Sequence, residues 1–485
     1  MIRGASRSSF PGIKSMHCRF SARVLLLGGL VAALGACTVG PSYQRPEPVV
    51  AKQWYAVRPH GGDVVQLKEW WSRFDDSMLA QLIDVAQRDN PSVEAAVMRI
   101  EQARANARAA GAAEWPALDL KSSWQRSATG IPPFTAARTT ANVSADASWE
   151  IDLFGALRAT RDAARARVTA RETEWHDLRI SLAAEVANTY LGLRTCEALT
   201  ANLQLDVDSR KQTVALTSQK VAAGFSAPAD AALLRASLAD ANSRMTAQFA
   251  ECDGLVKSLV ALTGANEPVL REQLGGNTAR VPGAPAIAIT EVPAIALTQR
   301  PDLAAAEQEL RAAAAEINAA EANRYPRLTL TGSIGYAALS SVGVTNEGMS
   351  WGFGPALSLP LFDAGRRSAV TDAAQARFGE LRALYMQRTR DAVREVEQAL
   401  VRLDAAARRQ VDVEAAAKDF EAFLAAAQAR WDAGVGNLIE LEEARRQTLN
   451  ANATLVQLRR EHVAQWITLY KALGGGWENQ VPPPQ

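Results

Sequence analysis

The chain states nearly the same pattern twice, at an offset of about 210 residues. Asn90-Pro91 opens a helix-forming run that closes at Trp115-Pro116, and Arg300-Pro301 opens one that closes at Tyr325-Pro326. Leu153-Phe154-Gly155 returns as Leu361-Phe362-Asp363-Ala364-Gly365, and Ala223-Gly224-Phe225-Ser226 as Ala433-Gly434-Val435-Gly436. Leu262-Thr263-Gly264 returns as Leu473-Gly474-Gly475. A unit repeated in this way buries its apolar face against its own copy. A duplicated unit that mixes long helices with two strands therefore predicts a symmetric tube or stack. The length of 485 residues alone would have allowed two or three separate domains.

The N-terminus fixes a compartment. Arg3, Arg7, Lys14, Arg19 and Arg23 precede an apolar run from Val24 to Ala36. At 13 residues the run is well short of the roughly 20 that span a bilayer. Residues 1–36 therefore read as a signal peptide, with Met16 as a second candidate start. Leu34-Gly35-Ala36-Cys37 resembles a bacterial lipobox, in which Cys37 takes a lipid and becomes the mature N-terminus. A chance Cys behind an ordinary signal is the alternative. By analogy with such lipoproteins, Thr38 in place of Asp favours the outer membrane. No later segment approaches 18 consecutive apolar residues. The formal charge of +1, less the five basic residues of the signal, leaves about −4 for the mature chain. There is no basic face for nucleic acid.

Of four cysteines, Cys18 leaves with the signal and Cys37 carries the lipid, so Cys196 and Cys252 remain. They lie equally far on either side of Gly224, the turn of a candidate helical hairpin. Antiparallel pairing places them side by side in an oxidising compartment, which predicts a Cys196–Cys252 disulfide. The alternative is two buried thiols that do not meet.

Four segments alternate between apolar and polar residues. Leu118, Leu120, Ser122 and Trp124 oppose Asp119, Lys121, Ser123 and Gln125. Val143, Ala145, Ala147, Trp149 and Ile151 oppose Asn142, Ser144, Asp146, Ser148, Glu150 and Asp152. Leu328, Leu330, Ile334 and Tyr336 oppose Thr329, Thr331 and Ser333, and Trp351, Phe353, Leu357 and Leu359 oppose Ser350, Gly352, Gly354 and Ser358. Period two means strands with one apolar and one wet face. Aromatic residues toward the ends fit strands that face lipid. A small soluble sheet packed on a helix is the competing reading. In lipid, however, four strands cannot close a barrel and open edges are not tolerated, so several chains must share one. Three chains give twelve strands.

Between Gly155 and Gly224 there is no Pro and one interior Gly, Gly192, and between Gly365 and Gly434 only Gly379 interrupts a helix-forming composition. Each run of about 65–70 residues would extend on the order of 100 Å at 1.5 Å per residue. Returning helices follow over 228–263 and 438–473. Leu178, Leu182, Val186, Tyr190 and Leu193 follow an approximate heptad, as in coiled-coil packing.

At this point a resemblance becomes specific. The chain resembles the outer-membrane efflux factors, the TolC-like channels, and most closely their lipidated OprM/NodT branch. The matching residues are Cys37-Thr38-Val39-Gly40-Pro41-Ser42-Tyr43, Trp70-Trp71 with Phe74-Asp75-Asp76, and Trp149-Glu150-Ile151-Asp152-Leu153-Phe154-Gly155. Arg300-Pro301-Asp302-Leu303, Tyr325-Pro326-Arg327-Leu328 and Leu359-Pro360-Leu361-Phe362-Asp363 follow in order.

The resemblance implies a mainly α fold with membrane β-structure: a homotrimer with an α-helical barrel and a shared twelve-stranded β-barrel. It implies a passive duct in the outer membrane, working with a periplasmic adaptor protein and an inner-membrane resistance-nodulation-division pump. Drugs, metals or other small toxic compounds would leave through it. No cofactor is implied beyond the covalent lipid on Cys37. The expected organisation is a signal over 1–36, a lipidated segment and part of an equatorial collar over 37–89, and a first repeat over 90–264 with its β-hairpin at 118–152. A collar linker over 265–299, a second repeat over 300–474 with its β-hairpin at 328–360, and a tail over 475–485 complete it.

The family closes its periplasmic tip, which directs attention to the two helical turns. Ile439 and Glu443 are four apart and share a helix face, with Glu440 beside them. The resemblance places an apolar constriction and an acidic ring there, and threefold symmetry would make each residue a ring of three. Glu440 also completes a capping box with Asn437, a structural role that competes with gating. Asp230 is its counterpart in the first turn, where it also complements the helix dipole. Glu442 is expected to pair with Arg446, leaving Glu443 without a local partner. Leu233 occupies the position in the first repeat that Glu443 holds in the second.

Catalytic readings find little support. After the signal only His60, His176 and His462 occur, dispersed and without a Cys at metal-ligand spacing. Phosphate-loop, nucleophile-elbow and zinc-helix motifs are absent from the sequence. Trp70 and Trp71 allow a sugar-binding reading but suit apolar anchors better. A protein-secretion duct of the same fold and a coiled-coil lipoprotein stalk are the alternative functions.

Overall fold

A computed structural model describes residues 39–40, 42–46, 55–56, 67–74, 76–128, 130, 136–283 and 300–477. Cys37 and the signal over 1–36 lie outside the described residues, as do 284–299 of the collar linker and 478–485 of the tail. Two compact units are present. One is built from Ala103–Val168 and Glu309–Arg382 with the chain before Pro46, the other from Pro46–Gln102, Thr169–Gln308 and Ala383–Gln485.

The first unit is organised by a four-stranded antiparallel sheet in the order β1-β2-β3-β4. The strands are β1 (Ala117–Ser127), β2 (Arg138–Ile151), β3 (Arg327–Ser341) and β4 (Val344–Ser358). The second hairpin is longer than the alternation alone indicated. Its two-residue turn has Val342 at φ 50° and Gly343 at φ 79°, the positive-φ geometry that matches strand twist. β2 pairs with β3 along fourteen residues, from Arg138↔Ser341 to Ile151↔Leu328, so the two repeats join edge to edge.

The register sorts the side chains into rows. Leu120, Ala145, Ile334 and Trp351 lie across one face, while Asp119, Asp146, Ser333 and Gly352 lie across the other. The apolar row is not covered within the chain: Leu120 is 79% exposed and Trp351 71%. The polar face lines a hollow of about 820 Å³ that includes Lys121, Asn142, Ser144 and Asp146. Lys121 and Asp146 form a cross-strand ion pair there at 3.0 Å. At one end of the sheet the Trp149 indole donates to the Glu114 carbonyl at 2.9 Å, and Phe154 stacks on Tyr325.

Helices α1 (Ser77–Asp89), α2 (Pro91–Ala112), α3 (Ala156–Ala222), α4 (Pro228–Thr263) and α5 (Glu267–Leu274) belong to the first half of the chain. The second half contributes α6 (Pro301–Ala322), α7 (Arg366–Asp432) and α8 (Leu438–Ala472). α3 and α7 are each 67 residues long, about 100 Å of helix. Each ends at a glycine in the left-handed region, Gly224 at φ 78° and Gly434 at φ 76°, where a side chain would be strained. The carbonyls of Lys220 and Arg430 then accept from Phe225 and Val435, closing equivalent turns.

In the second unit Trp70, Phe74, Leu79 and Leu82 pack with Tyr190, Leu193, Leu259, Trp466 and Leu469 into the main core. Trp70 lies 5.2 Å from the Tyr470 ring and 6.1 Å from that of Trp466, and Trp71 lies 4.8 Å from Tyr470. These indoles are apolar anchors, as their 3-10 helix (Leu67–Phe74) places them. Asp76 caps α1 by accepting from the Met78 and Leu79 amides and also from the Tyr190 hydroxyl at 2.8 Å. Burial pushes that phenol up to about 12. Cys196 on α3 and Cys252 on α4 are joined by a disulfide, their Cα atoms 5.6 Å apart. The equivalent positions of the second repeat are Ala406 and His462.

Candidate channel wall and hairpin tips

The residues singled out for a gate lie around the two helical turns. Asn437 caps α8, its side chain accepting from the Ile439 amide at 2.9 Å. Glu440 stands in the first turn of α8 and pairs with Arg430 at the end of α7, across the turn. Ile439 is 71% exposed, an aliphatic side chain with nothing of its own chain to cover it. In the first repeat Pro228 begins α4, and Asp230 accepts from the Ser226 hydroxyl at 3.0 Å.

The expected partners of the next two carboxylates are exchanged. Arg446 pairs with Glu443 at 2.6 Å, not with Glu442, and Gln447 donates to Glu443 as well. These donors hold the Glu443 carboxyl below the usual carboxylate range. Glu442 turns inward and accepts from Arg445 at 2.9 Å, from the Ser237 hydroxyl at 2.9 Å, and from Arg210. On a helix surface i+3 and i+4 are both within reach, and burial decides between them.

Glu442 thereby enters a cluster that local spacing does not reveal. Arg210 and Arg445 are 4% and 2% exposed. Arg210 also donates to Asp206 at 2.9 Å, and Arg445 to the Thr213 hydroxyl at 2.6 Å and to Gln428 at 3.0 Å. Side chains from α3, α4, α7 and α8 meet in this one cluster, which binds the first hairpin to the second. Two guanidiniums face two carboxylates, so the charge is balanced. Loss of one partner would leave a buried charge uncompensated. The sequence signal that was present was the spacing of Asp206 with Arg210 and of Glu442 with Arg445.

The sheet is the other half of the site. Its outer strands β1 and β4 each have one neighbour, so each offers an open edge. Among the described residues no helix is long and apolar enough to cross a membrane, and none of the His, Cys, Asp and Glu side chains form a group able to hold a metal ion. A sheet with one apolar face, one polar face and two open edges has the pattern of a partial membrane barrel. The class defined is a β-barrel membrane channel.

Comparison with known proteins agrees. The profile of the family described as outer membrane efflux protein matches twice, over residues 82–265 and 292–475, an offset of 292 − 82 = 210. Outer membrane protein OprJ of Pseudomonas aeruginosa is 30% identical over 466 residues, covering 93% of this chain and 95% of OprJ. Toluene efflux pump outer membrane protein TtgI of Pseudomonas putida is 29% identical, covering 92% of this chain and 96% of its own. The crystal structure of a membrane protein from Pseudomonas aeruginosa superposes with a TM-score of 0.79 at 29% identity, over 91% of this chain and 98% of that one.

The chain belongs to the outer membrane efflux protein family. It is an outer membrane efflux channel of the TolC-like type, and not an enzyme.

Proposed function

We propose that three copies of this chain close their sheets into one twelve-stranded barrel, with the helical hairpins forming a helical barrel that continues the conduit through the periplasm. The observation that carries this reading is the sheet itself, apolar on one face, polar on the other and open at both edges. Four strands are too few for a closed barrel and lipid does not tolerate a free edge, so copies of the chain are the simplest closure. Cys37 would anchor each copy in the outer membrane after removal of residues 1–36.

The cargo is a small molecule, delivered by a periplasmic adaptor and an inner-membrane resistance-nodulation-division pump. The name of the toluene efflux relative supports cargo of this size. The gate lies at the helical tips, with Ile439 as the apolar constriction and Glu443 as a carboxylate ring. Glu440 and Asp230 sit beside them at the second and first turns. A ring of three carboxylates favours cations. Arg446 beside Glu443 and Arg430 beside Glu440 offset much of that charge while the pairs are closed.

Planar-bilayer conductance of the purified protein tests the reading. A nearly closed wild type and a much more conductive, less cation-selective I439A/E443A variant are expected. An open wild type unaffected by the substitutions would move the gate elsewhere. Well-formed oligomers without conductance in either protein would favour a stalk. After gene deletion, loss of a secreted protein without any change in drug sensitivity would favour the secretion duct.

A further inference from the structure

The joint between the two repeats within one chain is a template for the joint between chains. β2 closes the first repeat and β3 opens the second. Along their ladder Ile151 faces Leu328, Trp149 faces Leu330 and Ala145 faces Ile334. Just beyond it, Phe154 stacks on Tyr325 with ring centroids 4.8 Å apart and planes 23° from parallel.

The duplication supplies a counterpart for each part of this joint. Ile151-Asp152-Leu153-Phe154 corresponds to Leu359-Pro360-Leu361-Phe362, an offset of 359 − 151 = 208. Tyr325-Pro326-Arg327-Leu328 corresponds to Trp115-Pro116-Ala117-Leu118, an offset of 325 − 115 = 210. β4 is thus the counterpart of β2, and β1 that of β3. Within one chain these counterparts have nothing to join. They are the two free edges of the sheet, and Phe362 is 91% exposed and Trp115 74%, against 38% for Tyr325.

Resting on the shared-barrel reading, we infer that β4 pairs antiparallel with β1 of a second copy of this chain in the register of β2 with β3, and that Phe362 stacks on the second copy's Trp115. Applying the two offsets converts each internal pair into an intermolecular one. Leu359 then faces Leu118, Leu357 faces Leu120, and Phe353 faces Trp124, all six of them exposed in the single chain. On the polar face Ala356 meets Lys121, Gly354 meets Ser123 and Ser358 meets Asp119. No like charges are opposed across this joint, which favours the pairing. The hydrogen-bond ladder that crosses β1 to β4 simply continues into the next sheet, and a slip by one residue would turn apolar side chains into the polar lumen.

Cysteine pairs in the full-length protein test the register. Detergent-extracted K121C/A356C, oxidised and run without reductant, is expected to give a covalent ladder ending at three copies. Crosslinking should be roughly tenfold faster than in the displaced pairs K121C/G354C and K121C/S358C, because a two-residue displacement separates directly opposed side chains. S123C/G354C repeats the measurement one rung along and stands in if the first variant does not fold. Faster crosslinking in a displaced pair, within a protein that is trimeric by mass, would overturn the register and leave the barrel standing. A protein that is a single copy by mass would overturn the barrel reading and the joint together.

Discussion

Asn90 and Arg300 stand 210 positions apart and make the same connection with different chemistry. The Asn90 side-chain amide donates to the Leu262 carbonyl at 2.8 Å, and the Arg300 guanidinium donates to the Ala472 carbonyl at 3.0 Å. The two acceptors are themselves 472 − 262 = 210 residues apart. Each contact ties the start of a repeat to the end of its returning helix. Asn90 also accepts from the Ser92 amide at 2.9 Å, while Arg300 reaches the carboxylates of Asp302 at 2.8 Å and Glu395 at 2.9 Å. Asn90→Ala should cost about 1–3 kcal/mol, the range for a buried carbonyl left unsatisfied. Arg300→Ala should cost more, because it leaves the Ala472 carbonyl unsatisfied and also removes the cation beside two partly exposed carboxylates. Chemical denaturation of both variants checks the ordering, and equal losses would contradict it.

The Cys196–Cys252 bridge closes a loop across 56 residues of sequence and both cysteines are buried. A loop of that size limits the unfolded chain by about 4 kcal/mol. C196A/C252A should therefore melt at a lower temperature than the wild type and lose its sensitivity to reductant. Equal melting of the two proteins would mean that the bridge contributes nothing.

Glu442 and Glu443 are neighbours in sequence with opposite consequences. Glu442→Gln should loosen the contact between the hairpins by about 3 kcal/mol, since Arg210 and Arg445 would keep their buried charges with one carboxylate fewer. Glu443→Gln acts on an exposed pair and should leave stability unchanged while shifting ion selectivity. Hydrogen exchange around residues 206–213 and 442–448 separates the two, since only the Glu442 variant is expected to accelerate it.

Asp177 gives the pH dependence a sign. Burial, reinforced by Asp302, holds its carboxyl above the ordinary range. The folded protein therefore binds this proton more readily than the unfolded one. The stability tied to it is present at acid pH and is lost as pH rises from the ordinary carboxylate value through the raised one. Asp177→Asn should be more stable than the wild type at pH 7, with the gap closing as the pH falls below that range. A gap that widens on acidification would refute the assignment.

Much of this fold could be read without coordinates because its signals are local and doubled. Alternation placed the strands, and the absence of Pro between Gly155 and Gly224 marked a helix observed at 67 residues. Equal distances from Gly224 set Cys196 opposite Cys252, because antiparallel helices pair residues by their count from the turn. What stayed hidden is non-local. Periodicity marks β2 and β3 as strands but does not say that they pair across the repeat boundary. The partner of Glu442 was assigned wrongly because Arg445 and Arg446 are both reachable along the helix. Arg210, 442 − 210 = 232 positions away, is brought close only by tertiary packing.

The ladder between β2 and β3 also bears on how a barrel is assembled. A wall made of six separate half-chains would need five encounters between molecules before its last joint could close within the assembly. Covalent linkage makes every second joint intramolecular, so that its formation no longer depends on protein concentration. In the proposed three-copy barrel only two encounters between molecules remain before the third seam closes within the assembly. Because the proposed seams use different residues from the internal ones, substitutions at Trp115 and Phe362 would change the rate of closure without altering the joint that Phe154 and Tyr325 hold together.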